Sequence, residues 1–202
     1  MATYFITGIG TGIGKTITSA VLTEKLKADY WKPIQSGDLE SSDSLTVKNL
    51  ISNKKTVIHP ESYRLTQPLS PHLSARLDGI EIDLNKIKVP LTENNLIIEG
   101  AGGLMVPLNE TELIIDLIKK LDAEVILVSQ NYLGSINHTL LSINLLKQYG
   151  VPVKGIIFNG DENPETERYI RQYAKINKLG HIPNLKLINK EQVAAVGENI
   201  LI

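Results

Sequence analysis

The chain has 202 residues, 42% hydrophobic and 21% charged, with 21 Lys and Arg against 22 Asp and Glu and a formal net charge of −1. This suits one α/β domain with a sizeable core, spanning residues 1–202. The charge balance offers no basic surface for nucleic acid or an anionic membrane, and the lack of cysteine excludes disulfides, thiolate metal sites and a cysteine nucleophile.

The N-terminus runs almost directly into an apolar stretch, with no charged leader before it, so a cytoplasmic protein without a transmembrane segment is expected. In chain order, strands are predicted at Tyr4–Thr7, Tyr30–Pro33, Leu96–Glu99, Val125–Ser129 and Gly155–Asn159, with a weaker one at Leu179–Ile182. Helical spacing is found over Thr16–Ala28, Ser44–Ile51, Leu113–Leu121, Asn137–Tyr149 and Glu165–Ile176. Near-continuous apolar strands alternating with helices predict a three-layer α/β fold, a mainly parallel sheet covered on both faces. Residues 52–94, broken by Pro60, Pro68, Pro71 and Pro90, carry no clear element and read as a binding loop or a solvated excursion.

In such a sheet, chemistry gathers beyond the carboxyl ends of the strands. After the first strand comes Gly8-Ile9-Gly10-Thr11-Gly12-Ile13-Gly14-Lys15-Thr16, followed by the helix that contains Ile17. Strand, glycine-rich turn, Gly-Lys-Thr and helix make the context of a phosphate-binding P-loop. Backbone N–H groups of the turn and of the helix N-terminus cradle phosphate, Lys15 brings a cation, and the Thr16 hydroxyl can ligate Mg²⁺.

The later strand ends add polar groups. Glu99 closes an apolar strand before Gly100-Ala101-Gly102-Gly103, where a carboxylate could hold Mg²⁺ and the glycines allow close approach. Asp43 reads equally as a helix cap or as a second magnesium carboxylate. Lys32 could neutralise a transferring phosphoryl group, but a snorkelling edge lysine is the plainer reading. Ser36 is a hydroxyl ligand or a turn residue. Asn159 could pair with adenine, although a turn asparagine before Gly160 is the plainer reading. The histidines, His59, His72, His138 and His181, lack metal-site spacing, and no zinc and no histidine base are assigned.

Taken together, the motifs resemble those of ATP-dependent dethiobiotin synthetase along nearly the whole chain. They are Gly8-x-Gly10-Thr11-x-x-Gly14-Lys15-Thr16, Trp31-Lys32-Pro33-Ile34-x-Ser36-Gly37, Ser42-Asp43, Ser70-Pro71-His72, Glu99-Gly100-Ala101-Gly102-Gly103-Leu104-x-Val106-Pro107, Leu133-Gly134-x-Ile136-Asn137-His138, Asn159 and Gly180-x-Ile182-Pro183. The resemblance implies a P-loop NTPase fold and closure of the ureido ring of dethiobiotin from 7,8-diaminononanoate, CO₂ and ATP. It implies that Lys15 and Lys32 flank the transferred phosphoryl, and that Thr16, Asp43 and Glu99 serve Mg²⁺. Thr11 and Ser36 would contact carbamate or substrate. Gly12, Ile13, Gly14, Ile17, Gly100, Ala101 and Gly102 would line the nucleotide, and Asn159, Gly160 and Pro183 would hold adenine. Family members are homodimers with substrate at the subunit interface, to which Leu133, Gly134, Ile136 and Asn137 would contribute.

One departure stands out. Members of the family often carry acidic residues in the loop, where this chain has Gly10 and Gly12. The competing class, the ParA/MinD-type switch ATPases, carries a lysine at the position of Gly10.

Overall fold

The computed structural model describes residues 1–202. In chain order the elements are β1 Thr3–Gly8, α1 Lys15–Leu26, β2 Asp29–Trp31, β3 Ile34–Ser36, α2 Asp43–Leu50, β4 Ile58–His59, β5 Tyr63–Leu65 and α3 Pro71–Leu77. There follow β6 Leu96–Gly103, α4 Ile114–Lys120, β7 Glu124–Gln130, α5 Ser135–Gln148, β8 Val153–Asn159, α6 Pro164–Ala174, β9 Lys178–Ile182 and α7 Lys190–Glu198. Short 3₁₀ turns lie at Leu39–Ser41 and Leu84–Lys86.

The main sheet has seven strands in the order β4-β2-β6-β1-β7-β8-β9. Every pairing in it is parallel. All carboxyl ends therefore open on one edge. β1 lies between β6 and β7, so the loop that follows it is flanked by the glycine run of β6.

Alternation along the strands divides the core. Tyr4, Ile6, Tyr30, Ile97, Ile126 and Ile157 face α1, α2 and α7 with Val21, Val47 and Val196. Phe5, Trp31, Ile98, Leu127 and Phe158 face α3 to α6, including Ala75, Ile118, Ile143 and Ile170. Strands buried on both faces read as continuous apolar runs, which is why they are legible in the sequence. No helix is long and apolar enough to cross a membrane.

Several boundaries differ from expectation. The second strand ends at Trp31 rather than Pro33, because proline has no N–H for the ladder. The chain then leaves the main sheet and forms β3, which pairs with β5 in a separate two-stranded sheet. β6 runs past Glu99 to Gly103. α5 starts at Ser135, two residues before Asn137. Within residues 52–94, β4, β5 and α3 are ordered, and α3 takes Pro71 in its first turn, where a missing N–H costs nothing.

Candidate active site

The P-loop joins β1 to α1. α1 begins after Gly14, whose φ of 92° is left-handed; no side chain caps it and its first turn holds no acidic residue. The N–H groups of that turn and the positive end of the helix dipole are thus offered to an anion. Only glycine suits position 14, since a Cβ there would also run into the Asn159 amide. Asn159 donates through Nδ2 to the Ile13 carbonyl at 3.1 Å, which corrects the turn-asparagine reading: it ties the loop to β8. Ile13 is itself buried.

The Lys15 ammonium donates to the Gly10 carbonyl at 2.8 Å. Burial, reinforced by the like charge of Lys32, lowers its pKa to about 8 against the opposing pull of Glu99 and Asp43. Lys32 is not an edge lysine. It is 4% exposed, with Nζ 2.5 Å from Asp43 Oδ2 and 3.3 Å from Glu99 Oε1. Burial would lower its pKa, but Glu99 and Asp43 outweigh this and raise it. Asp43 is likewise desolvated, yet Lys32 and the Thr16 hydroxyl hold its carboxyl below the usual range.

The helix cap and the charged role of the Ser42-Asp43 pair are divided between the two residues. Ser42 caps α2 by accepting from the Leu45 N–H, and Asp43 turns to Lys32 and Thr16. Thr16 Oγ1 lies 2.7 Å from Asp43 Oδ1 and 2.9 Å from Glu99 Oε1. A hydroxyl has one proton and cannot donate fully to both. The Thr16 hydroxyl and one oxygen each of Asp43 and Glu99 thus lie together, hard donors that would suit Mg²⁺.

A cavity of about 690 Å³ opens here. It takes in Thr11, Gly12, Gly14, Lys15, Thr16, Ile17, Lys32, Ser36, Asp43, Glu99, Ala101 and Gly102. The Ser36 hydroxyl is buried at its wall without a partner. Other predicted residues lie off its walls. Gly100 lets β6 approach β1, since a Cβ would stand 2.7 Å from the Phe5 ring, and its carbonyl receives a long 3.5 Å contact from Lys32. Gly160 and Pro183 follow β8 and β9 and are also away from this cavity. Leu133, Gly134, Ile136 and Asn137 surround the start of α5, beyond β7, and none of them lines the cavity.

Two residues escaped sequence reasoning. The Tyr30 hydroxyl, wholly buried, donates to Glu99 Oε2 at 2.9 Å. Gln35, also buried, accepts from the Asp43 N–H at 3.3 Å and donates to the Gly37 carbonyl at 3.0 Å. A tyrosine in an apolar strand reads as core, and only the neighbouring strand reveals its partner.

A family model described as an AAA domain matches residues 2–192. A protein of Christiangramia forsetii named ATP-dependent dethiobiotin synthetase BioD is 59% identical over 179 residues, covering 89% of this chain and 86% of the relative. One of the same name from Cytophaga hutchinsonii is 53% identical over 196 residues, covering 96% and 95%. The chain belongs to the ATP-dependent dethiobiotin synthetase family. Among solved structures, the cell division ATPase MinD of Pyrococcus furiosus superposes with a TM-score of 0.65 at 14% identity, covering 98% of each chain. A ParA family ATPase of Chlorobium tepidum gives 0.60 at 14% identity, again covering 98% of each. These are relatives in fold alone.

Proposed function

We infer that this chain is a dethiobiotin synthetase, one domain over residues 1–202. In this reading an amine of 7,8-diaminononanoate takes up CO₂ as a carbamate, ATP phosphorylates it, and the second amine attacks the carbamic–phosphoric anhydride and expels phosphate. The observation that carries it is a second buried lysine at the mouth of a P-loop: Lys32, reaching Asp43 and Glu99 beside Thr16. Such chemistry needs little acid–base machinery. It needs positioning, charge neutralisation and exclusion of water from a labile anhydride.

Lys15 and Lys32 flank the transferred phosphoryl, and the N–H groups at the start of α1 cradle the phosphates. Thr16, Asp43 and Glu99 would hold Mg²⁺, which supplies charge neutralisation on the phosphates when bound. Ser36, with its unpartnered hydroxyl, and Thr11 contact the carbamate. Asn159, Gly160 and Pro183 take the adenine end. The chain acts as a homodimer in the cytoplasm, and the segment from Leu133 to Asn137 serves the partner's site; the full exposure of Leu133 supports that contact.

The test is phosphate release with ATP, Mg²⁺ and bicarbonate, with and without 7,8-diaminononanoate, and mass spectrometry of the product. Dethiobiotin should appear only when all components are present. Phosphate release indifferent to the diamine, with no dethiobiotin, rejects the assignment.

A further inference from the structure

Besides Asp43 and Glu99, a third carboxylate lines the cavity, that of Asp38. Asp43 is engaged by Lys32 and Thr16, and Glu99 by Thr16, Tyr30 and Lys32. The Asp38 carboxylate is exposed, with no side-chain hydrogen bond or ion pair to the rest of the chain. Resting on the synthetase reading above, we propose that Asp38 is the residue that binds an ammonium group of the diamine substrate.

The backbone presents this carboxylate deliberately. Gly37 and Asp38 are both left-handed, at φ 73° and 51°. A side chain at the second position is strained, and aspartate and asparagine are among the few residues that tolerate it. The turn is nevertheless fixed from several sides. The Gly37 N–H donates to the Leu65 carbonyl at 2.8 Å, the Ser41 N–H to the Asp38 carbonyl at 2.9 Å, and Gln35 Nε2 to the Gly37 carbonyl at 3.0 Å. Pro68 closes on Gly37, so that no Cβ fits there. Glycine would be unstrained at position 38; an aspartate held in that conformation at a cavity wall points to a use for its charge.

The distribution of charge gives the use. The cations of the cavity, Lys15 and Lys32, stand at its phosphate end and repel an ammonium group. The carboxylates beside them are already neutralised. An aliphatic amine is protonated near neutral pH, and Asp38 is the remaining anionic partner within the cavity. A diamine is then oriented, with the carbamate nitrogen toward the lysines and the other nitrogen toward Asp38. The P-loop positions Gly10 and Gly12 supply no carboxylate for this purpose.

Steady-state kinetics of Asp38→Asn tests this. Asparagine keeps the left-handed backbone and removes the charge. The KM for 7,8-diaminononanoate should rise roughly tenfold, while that for ATP stays within about twofold. Asp38→Glu should recover part of the loss. Calorimetry with nonanoate, which lacks both amines, should give the same affinity for wild type and Asp38→Asn. Asp38→Gly relieves the strain and should behave as Asp38→Asn. An unchanged diamine KM in Asp38→Asn and Asp38→Gly overturns the assignment, and so does an equal loss for nonanoate, the mark of a structural role. A wild-type chain without diamine-dependent turnover overturns the synthetase reading and this assignment with it.

Discussion

Tyr30 donates its hydroxyl to Glu99 across neighbouring strands, 2.9 Å apart and wholly out of water. Burial and the carboxylate push the tyrosine pKa well above its ordinary value, so it remains a donor. Tyr30→Phe keeps the packing but strips one oxygen of a buried carboxylate of its partner. We expect a loss of about 1–3 kcal/mol in unfolding free energy. We also expect a raised Mg²⁺ requirement for turnover, because Glu99 is then held through Oε1 alone, by Thr16 and Lys32. Denaturant melts and a magnesium titration of activity check both.

Lys32 offsets two carboxylates at once. Lys32→Gln should lower kcat by roughly 100-fold or more. It should also destabilise the fold by about 3 kcal/mol, since Asp43 and Glu99 lose the one ammonium that contacts them both. Mg²⁺ should restore part of that stability by neutralising the same pair. Near-normal turnover in this variant would remove Lys32 from the phosphoryl site.

Glu24 contributes to the acid end of the stability profile. Although burial alone would raise its pKa, hydrogen bonds from Ser52 and Asn53 lower it from 4.5 to about 2. Between these values the unfolded chain binds more protons than the folded one. The stabilisation is thus complete above pH 4.5 and is lost as pH falls toward 2. Glu24→Gln should flatten that part of the acid stability profile, measured by urea melts, with no effect on diamine-dependent turnover near neutrality.

Shared sites can be tested by mixing. Lys15→Gln should be inactive through its own P-loop, and Asn137→Ala impaired through the partner's site. Mixed subunits that exchange at random should recover roughly a quarter of wild-type turnover, because half the dimers then carry one intact site. If the mixture shows no recovery, or sedimentation finds an active monomer, the site belongs to one chain.

The parts that the sequence made legible are those with contiguous signals. The apolar runs at Phe5, Ile98, Leu127 and Phe158 announce buried parallel strands, and the P-loop is a single stretch. α7 was missed because Lys190–Glu198 opens with Lys, Glu and Gln and buries only Val193, Val196 and Gly197, too weak a period to read. β3 and β5 are three residues each, below the length at which alternation is visible. Lys32 was ambiguous for a different reason. Its partners lie on other elements, Glu99 being 67 residues away, and no local pattern encodes that meeting. Tyr30 is illegible on the same ground, Glu99 being 69 residues away.

The break at Pro33 divides the chain's duties. β2 lies in the main sheet and Lys32 just after it turns to Asp43 and Glu99, whereas β3, from Ile34, pairs with β5 in the small sheet. That small sheet and the adjoining Pro68–Pro71 segment supply the far wall of the cavity. This wall is tied to the phosphate side at Pro33, through the Gln35 contact with the Asp43 N–H, and through the His72 N–H bond to the Pro107 carbonyl. Residues 68–71 line the cavity and make no hydrogen bond to Lys32, Asp43 or Glu99, so acceptor preference is to be altered there first.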